Sequence, residues 1–213
     1  MRGIIYKDMC LFFRSLDIRM FLIAAAALGI LIWNQNVYGG MLASIMAAML
    51  VGCQNVVVYE KEEKVEWGKY QRTLPVKCGQ VVAGKYAAVL LTVMVSLLLS
   101  VVLNLATFAA YRTFLPDALG LSVFLSLAIP LSWTALSLPF YYWFGFQASQ
   151  YTSIALIFPL FFFVKNFEDG KWAVPDLMIP LTGHAWIPLI FLSVAALFAI
   201  SLAVSTVGYC RRK

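Results

Sequence analysis

The chain has 213 residues, of which 62% are hydrophobic and 12% are charged, and its formal net charge is +6. Soluble domains carry about 25% charged residues, so this composition excludes a water-facing globular surface, and it is too apolar for a disordered chain. A polytopic membrane protein remains, and its apolar segments leave too little sequence for a separate catalytic domain.

Residues 1–19 precede the first apolar segment and have the pattern of an amphipathic helix. Apolar side chains recur at helical spacing at Ile5, Met9, Phe12 and Leu16. The opposite face carries Lys7, Arg14 and Asp17. This pattern predicts an interfacial helix that lies in the headgroup plane. The alternative is a cytosolic extension of the first membrane span.

Six apolar segments follow, at residues 20–33, 39–58, 86–111, 119–140, 144–164 and 186–207. Hydrocarbon offers the backbone no other hydrogen-bond partner, so each segment is predicted to be a transmembrane helix. The expected fold class is therefore an all-α polytopic membrane protein. Pro130, Pro139 and Pro159 predict kinks, which are tolerated where Ser or Thr side chains or neighbouring helices bond the freed carbonyls.

The Lys and Arg residues are distributed unevenly between the two sides of this six-span arrangement. Thirteen of the 16 fall on the side that holds both termini and the segment 59–85. Because positive charge accumulates on the cytoplasmic side, both termini are predicted to be cytoplasmic. The excess of basic residues is thus explained by the membrane topology, and no nucleic-acid partner is expected.

The second apolar segment carries a stripe of small residues that recur every four positions: Gly40, Ser44, Ala48 and Gly52. Such a stripe allows close helix approach, and it predicts a helix interface either within the subunit or across a dimer axis. Three amides in the spans, Gln54, Asn55 and Asn104, either bond between helices or bind a ligand.

The hydrophilic segment 59–85 is rich in mixed charge, and its helix-forming part ends at Pro75. A short helix there would place Trp67, Tyr70 and Leu74 on one face. Aromatic and charged side chains of this kind anchor protein partners, which predicts a docking site. Its residues are Glu60, Glu63, Glu66, Trp67, Lys69, Tyr70, Arg72 and Leu74. The alternative places the aromatic side chains in the headgroup belt.

The connection 165–185 is apolar for an outer loop, which suggests a re-entrant segment before the last helix. The centres of all six spans lack Asp, Glu, Lys, Arg and His. The sequence also shows no two ionisable groups expected to meet at one membrane depth, so neither ion coupling nor a catalytic or metal site is predicted. A membrane enzyme acting on lipid or prenylated peptide is therefore the weaker alternative.

The chain resembles the small ABC-2-type permeases, which are six-span subunits of ABC exporters without an ATPase of their own. The resemblance extends over residues 1–213 as one transmembrane domain. It is carried by Tyr59-Glu60, Trp67-x-x-Tyr70, Leu74-Pro75-Val76, Val82-x-x-Lys85-Tyr86 and the opening Lys7-Asp8 with Arg14. Lys77-Cys78-Gly79 departs from the usual pattern, in which a basic residue has an acidic neighbour.

The resemblance implies that the segment after the second span includes a coupling helix that docks a cytosolic ABC ATPase. It also implies a second permease copy or a paralogue, a bacterial cell membrane with its lipids, and ATP and Mg on the partner subunit, with no cofactor in this chain. The chain would then be a transport subunit rather than an enzyme by itself.

Among such permeases, the chain looks most like exporters of amphipathic or antimicrobial peptides such as phenol-soluble modulins. The aromatic run Phe158, Phe161, Phe162 and Phe163 would suit a hydrophobic cargo, although lipid packing explains it equally well. A third possibility is a non-transport immunity or scaffold protein, which would have no ATPase partner.

Overall fold

The computed structural model describes residues 2–15, 18–34, 38–73, 75–113, 115–168 and 186–211, and their regular structure is helical throughout. Eight helices lie within these ranges. They are α1 (Arg2–Ser15), α2 (Ile18–Asn34), α3 (Gly39–Lys64), α4 (Trp67–Thr73), α5 (Cys78–Tyr111), α6 (Pro116–Phe144), α7 (Phe146–Glu168) and α8 (Trp186–Arg211). The predicted outer segment 165–185 falls mostly on residues 169–185, outside the described residues.

Four of the described helices are long and apolar enough to cross a membrane: Gly39–Lys64, Cys78–Tyr111, Pro116–Phe144 and Phe191–Arg211. The first and fifth predicted segments lie mainly in α2, which has 17 residues, and in α7. Both α3 and α5 extend past the predicted spans at their charged ends. Much of the segment 59–85 is therefore helical, with breaks at residues 65–66 and 75–77.

Residues in positive φ conformations separate neighbouring helices. Glu66 and Arg112, at φ 50° and 52°, lie just beyond the ends of α3 and α5. Gly145, at φ 96°, lies between α6 and α7, where a residue without Cβ adopts this conformation readily. Because of this break, the predicted segment 144–164 begins with the last residue of α6 and continues in α7.

Two of the three prolines that predicted kinks, Pro130 and Pro139, lie inside the continuous helix α6. Pro130 lacks an N–H, so the carbonyl of Ser126, four residues earlier, has no partner in its own helix. The hydroxyl of Ser96 in α5 donates to that carbonyl at 3.2 Å. The expectation that a Ser side chain of a neighbouring helix bonds the freed carbonyl is thus confirmed at Pro130. The side chain of Pro159 lies outside the described residues.

Helix α3 lies at the centre of the bundle, packed against α1, α2, α5, α6 and α7, while α8 packs on α5 and α6. At one end, the last turns of α3, α6 and α8 meet the first turns of α5 and α7. Tyr59 stacks on Tyr141 with ring centroids 5.1 Å apart, and the hydroxyls of Tyr86 and Ser205 are 2.9 Å apart. We call this region, which includes Lys7, Asp8, Glu62 and Lys85, the charged end.

Helix α1 packs against α3 and α5 at the charged end. Its most buried side chains are Ile4, Asp8 and Phe12, whereas Ile5 is half-buried. Lys7, predicted on the polar face of α1, is half-buried because its ammonium contacts Glu62 of α3. Arg14, predicted on the same face, is exposed.

Candidate functional site at the charged end

Glu62, in the last turn of α3, is the centre of a buried ion network. Its two carboxylate oxygens accept hydrogen bonds from the ammonium groups of Lys7 and Lys85, which come from α1 and α5. Asp8 adds a second carboxylate, 2.8 Å from Lys7 Nζ. The network therefore joins three helices and contains two positive and two negative groups.

These groups are almost completely removed from solvent: Asp8 is 5% exposed, Glu62 3% and Lys85 7%. Charges buried to this degree are tolerated when they are paired. Burial lowers the pKa of Lys7, an effect that the Asp8 carboxylate opposes. Aromatic rings give Lys85 further contacts, since its Nζ lies 4.9 Å from the Tyr59 ring centroid and 5.2 Å from that of Tyr141.

A small cavity borders this network and is lined in part by Asp8, Asn55, Tyr59, Lys85 and Thr92. Its volume of about 20 Å³ has room for about one water molecule and none for a lipid or peptide substrate. Neither the Asp8 carboxylate nor the Tyr59 hydroxyl makes a well-aligned hydrogen bond to any described residue. The site can therefore hold charges in place, but it cannot bind a reactant of the expected size.

The contact among these four ionisable groups, which lie outside the predicted spans, was not among the sequence-based predictions. Each of the four residues lies in a hydrophilic stretch outside the predicted spans, where a charged side chain is expected to be hydrated. The available signal was helical spacing, because Asn55, Tyr59 and Glu62 recur at intervals of four and three residues on one buried face of α3. The resemblance motifs include Lys7, Asp8 and Lys85, but they give no indication that these residues meet Glu62.

Helix α4 is connected to the network through Trp67. The Lys7 ammonium lies 4.6 Å from the centroid of the Trp67 ring, and the rings of Trp67 and Tyr70 are 5.1 Å apart. Trp67 is half-buried, whereas 57% of Tyr70 is exposed. Glu66 and Lys69 form an ion pair on the exposed side at 2.7 Å. One face of α4 thus contacts the bundle, and the other is open.

The predicted docking residues do not all lie in one short helix. Glu60 and Glu63 belong to the last turns of α3. Glu60 pairs with Lys64 at 2.6 Å, and Glu63 accepts a hydrogen bond from the backbone N–H of Phe146 at 3.0 Å. Glu66 lies in the break between the helices, and Trp67, Lys69 and Tyr70 lie in α4. The Arg72 side chain and Leu74 are outside the described residues.

The small-residue stripe of α3 is buried inside this chain. A Cβ on Gly40 would lie 2.6 Å from Thr107 Oγ1 and 3.1 Å from the Cα of Asn104, both in α5. A Cβ on Gly52 would lie 3.1 Å from the Trp133 ring in α6. Ser44 and Ala48 are fully buried between these two positions. The stripe therefore packs against helices of its own subunit.

The three span amides form hydrogen bonds between helices. Asn104 in α5 donates to Ser44 Oγ of α3 at 2.9 Å and to Ser122 Oγ of α6 at 2.8 Å. Asn55 donates to Thr92 Oγ1 at 3.1 Å, and Gln54 donates to the Ser15 hydroxyl of α1. These bonds support the interhelical interpretation of the amides.

Comparison with known proteins identifies the family. The family model described as ABC-2 family transporter protein matches residues 3–209, which confirms the resemblance inferred from the sequence. No curated protein and no solved structure gives a significant match. Together with the long apolar helices, the family match indicates a multi-pass membrane protein that serves as a transport subunit. The chain belongs to the ABC-2 transporter family.

Proposed function

We propose that this chain is the permease subunit of an ATP-driven exporter and that it docks a separate cytosolic ATPase through α4. The observation that carries the proposal is the two-sided environment of α4. Tyr70, Lys69 and Glu66 are exposed, whereas the Trp67 ring faces Lys7 and is half-buried. A short helix held on one side and open on the other can receive a partner and pass its displacement inward.

The ion network offers a route for that displacement. A partner that moves α4 would shift the Trp67 ring against the Lys7 ammonium, which is bonded to Glu62. Glu62 also bonds Lys85, so the ends of α3 and α5 would move together. The ATPase would supply the energy, because the span centres carry no ionisable group that could couple transport to an ion gradient.

In this proposal the chain crosses a bacterial cell membrane six times, with α2 and α7 providing two of the crossings. The charged end and both termini face the cytoplasm, as the distribution of Lys and Arg favours. A second permease copy or a paralogue completes the pathway, and ATP and Mg bind to the partner. These are family expectations applied to this chain.

We propose an amphipathic or hydrophobic peptide as the cargo. The support is the uncharged character of the spans together with Phe158 of α7, whose side chain is 70% exposed. Phe161, Phe162 and Phe163 continue this aromatic run in sequence, but their side chains lie outside the described residues. Lipid contact remains the competing explanation for the exposed ring of Phe158.

The docking proposal is tested by purifying the tagged full chain from its native membranes and measuring the ATPase activity that co-purifies with it. Tyr70→Ala should lower the co-purifying activity about fivefold or more, the effect of losing an interface anchor worth at least about 1 kcal/mol. Trp67→Ala combined with Tyr70→Ala should remove it. Tyr151→Ala is the matched control, since Tyr151 is also an exposed tyrosine but lies on α7.

Two outcomes would contradict the proposal. Full ATPase association in the Trp67→Ala, Tyr70→Ala double variant would show that α4 is not the docking element. The absence of any ATPase with the unmodified chain would favour the scaffold or immunity alternative. A membrane enzyme has no comparable support, because the cavity beside the buried ion network is too small for a substrate.

A further inference from the structure

An apolar groove lies between α6 and α8, and none of the four residues of the ion network lines it. Its volume is about 390 Å³, and its walls include Ala135, Phe140, Trp143, Leu197 and Ile200. The lining residues run from Ala135 to Phe144 and from Leu197 to Val204, about two turns of each helix or about 10–14 Å along the bundle. Ile200 is 64% exposed and Phe140 41%, so the groove opens to the side of the chain.

The groove ends beside a positive charge. Arg211, in the last turn of α8, lies over the Trp143 ring, with its guanidinium carbon 5.5 Å from the ring centroid. Trp143 is held there because its indole N–H donates to the carbonyl of Val204 at 3.1 Å. Gly208 permits this approach, since a Cβ at that position would lie 2.5 Å from the indole nitrogen.

The acidic side chains at the end of α3 and in the break that follows it have other partners. Glu62 bonds Lys7 and Lys85, Glu63 bonds the backbone of Phe146, and Glu60 and Glu66 pair with lysines of their own segments. Within the part of the chain that the structure describes, Arg211 forms no ion pair. In the sequence, Arg211 is followed by two more basic residues, Arg212 and Lys213, which lie outside the described residues.

We propose that this groove binds one anionic phospholipid, with an acyl chain between α6 and α8 and the phosphate at Arg211. Apolar walls at membrane depth match an acyl chain, and an arginine at the end of the groove matches a charged headgroup. The site differs in location and chemistry from the ATPase-docking surface, so it does not depend on that proposal.

Lipid retention by the purified full chain, measured by native mass spectrometry, tests this site. The protein is delipidated and given equal amounts of phosphatidylglycerol and phosphatidylcholine with identical acyl chains. Phosphatidylglycerol should be retained at least about fivefold more strongly, the effect of one basic residue near an anionic lipid. Arg211→Gln should reduce this ratio about fivefold, whereas Arg14→Gln, an equal change of charge on the exposed side of α1, should not.

A second pair of variants tests the acyl-chain part of the site. Ile200→Trp fills the groove and should reduce the retention of both lipids. Leu192→Trp, at a 66% exposed position on the same helix outside the groove walls, should leave retention unchanged. Val204→Phe provides an independent filling variant should Ile200→Trp fail to fold.

Three outcomes would overturn the proposal: equal retention of the two lipids, an unchanged ratio in Arg211→Gln, or equal effects of Ile200→Trp and Leu192→Trp. A dimer that Ile200→Trp, but not Leu192→Trp, converts to monomer would show that a second copy of this chain occupies the groove. The loss of ATPase docking in the Tyr70 variants would leave all of these lipid results unchanged.

Discussion

Two polar regions of the bundle satisfy buried polar groups in different ways. The charged end joins α1, α3 and α5 through ionised groups centred on Glu62. The second region, which we call the amide layer, joins α3, α5 and α6 through the neutral groups of Ser44, Asn104 and Ser122. Lys85 and Asn104 are 19 residues apart on α5, which corresponds to about 28 Å along the helix.

This separation is close to the hydrocarbon thickness of about 30 Å. The buried ionised groups thus lie at one end of the described bundle, while the buried polar groups farther along it are hydroxyls and amides. Removing one ionised partner leaves a charge without compensation, whereas removing one amide leaves a neutral group that can find another donor or acceptor. The comparison therefore predicts unequal sensitivity to similar substitutions.

Glu62→Ala should have the largest effect, because it leaves the buried ammonium groups of Lys7 and Lys85 without their shared partner. The free energy of unfolding should fall by about 3–5 kcal/mol, the range for breaking a buried ion pair. SDS titration of the protein in mixed micelles measures this change. Glu60→Ala is the matched control on the same helix, because its partner Lys64 is 72% exposed and the expected loss is about 0–1 kcal/mol.

Equal losses for Glu62→Ala and Glu60→Ala would contradict the assignment of Glu62 as the centre of the network. They would also remove the structural link that the proposed function places between α4 and the bundle.

Gly40→Val should have the next largest effect, and it acts on the amide layer. The new side chain would collide with Thr107 and with the backbone of Asn104, so α3 and α5 would have to separate. Overpacking of this kind destabilises by about 1–3 kcal/mol. Gly29→Val in α2 is the control, since a Cβ there meets nothing within 4 Å. A thermal melt followed by circular dichroism should show a lower midpoint for the Gly40 variant alone.

The sequence predicted much of this fold because apolar segments without charge must be helical in hydrocarbon. It also located the stripe from Gly40 to Gly52, since a four-residue spacing of small side chains is visible without a structure. It did not reveal the ion network. Lys7, Glu62 and Lys85 are far apart in sequence, and each lies in a hydrophilic stretch outside the predicted spans, where hydration was the simpler expectation. The packing of α1 against α3 and α5 brings them together.

The sequence pattern also did not predict where the helices within the segment 59–85 begin and end. Residues 59–64 continue α3 because Glu and Lys are good helix formers, so the end of the apolar segment does not end the helix. The same continuation places Glu62 on the inner face and leaves α4 shorter than the docking helix first expected.

Asn104→Ala should have a moderate effect, because it removes bonds to α3 and α6 at the same time. We expect a loss of about 0.6–1.7 kcal/mol, the range for interhelical hydrogen bonds in membrane proteins. Asn55→Ala removes the single bond to Thr92 and should be near the lower end of this range. SDS titration measures the free energy of unfolding of both variants. A larger loss for Asn55→Ala than for Asn104→Ala would contradict the inference that the amide layer is the stronger neutral contact between the helices.

Glu66→Gly should have the smallest effect on stability. Unlike the other substitutions, it should raise the free energy of unfolding. Glu66 adopts a φ of 50°, which strains a residue with a Cβ by about 1–2 kcal/mol and a glycine hardly at all. The substitution also removes the exposed pair with Lys69, worth about 0–1 kcal/mol, and increases the freedom of the unfolded chain. The net expectation is a gain of a few tenths of a kcal/mol.

Glu66→Ala separates these contributions, because it removes the ion pair and keeps the strain. It should therefore be slightly less stable than the unmodified chain, and Glu66→Gly should exceed it by about 1 kcal/mol. If the alanine and glycine variants gave the same midpoint in SDS titration, the left-handed conformation of Glu66 between α3 and α4 would be contradicted. The short open helix that the docking proposal requires would then have to be replaced by an uninterrupted continuation of α3.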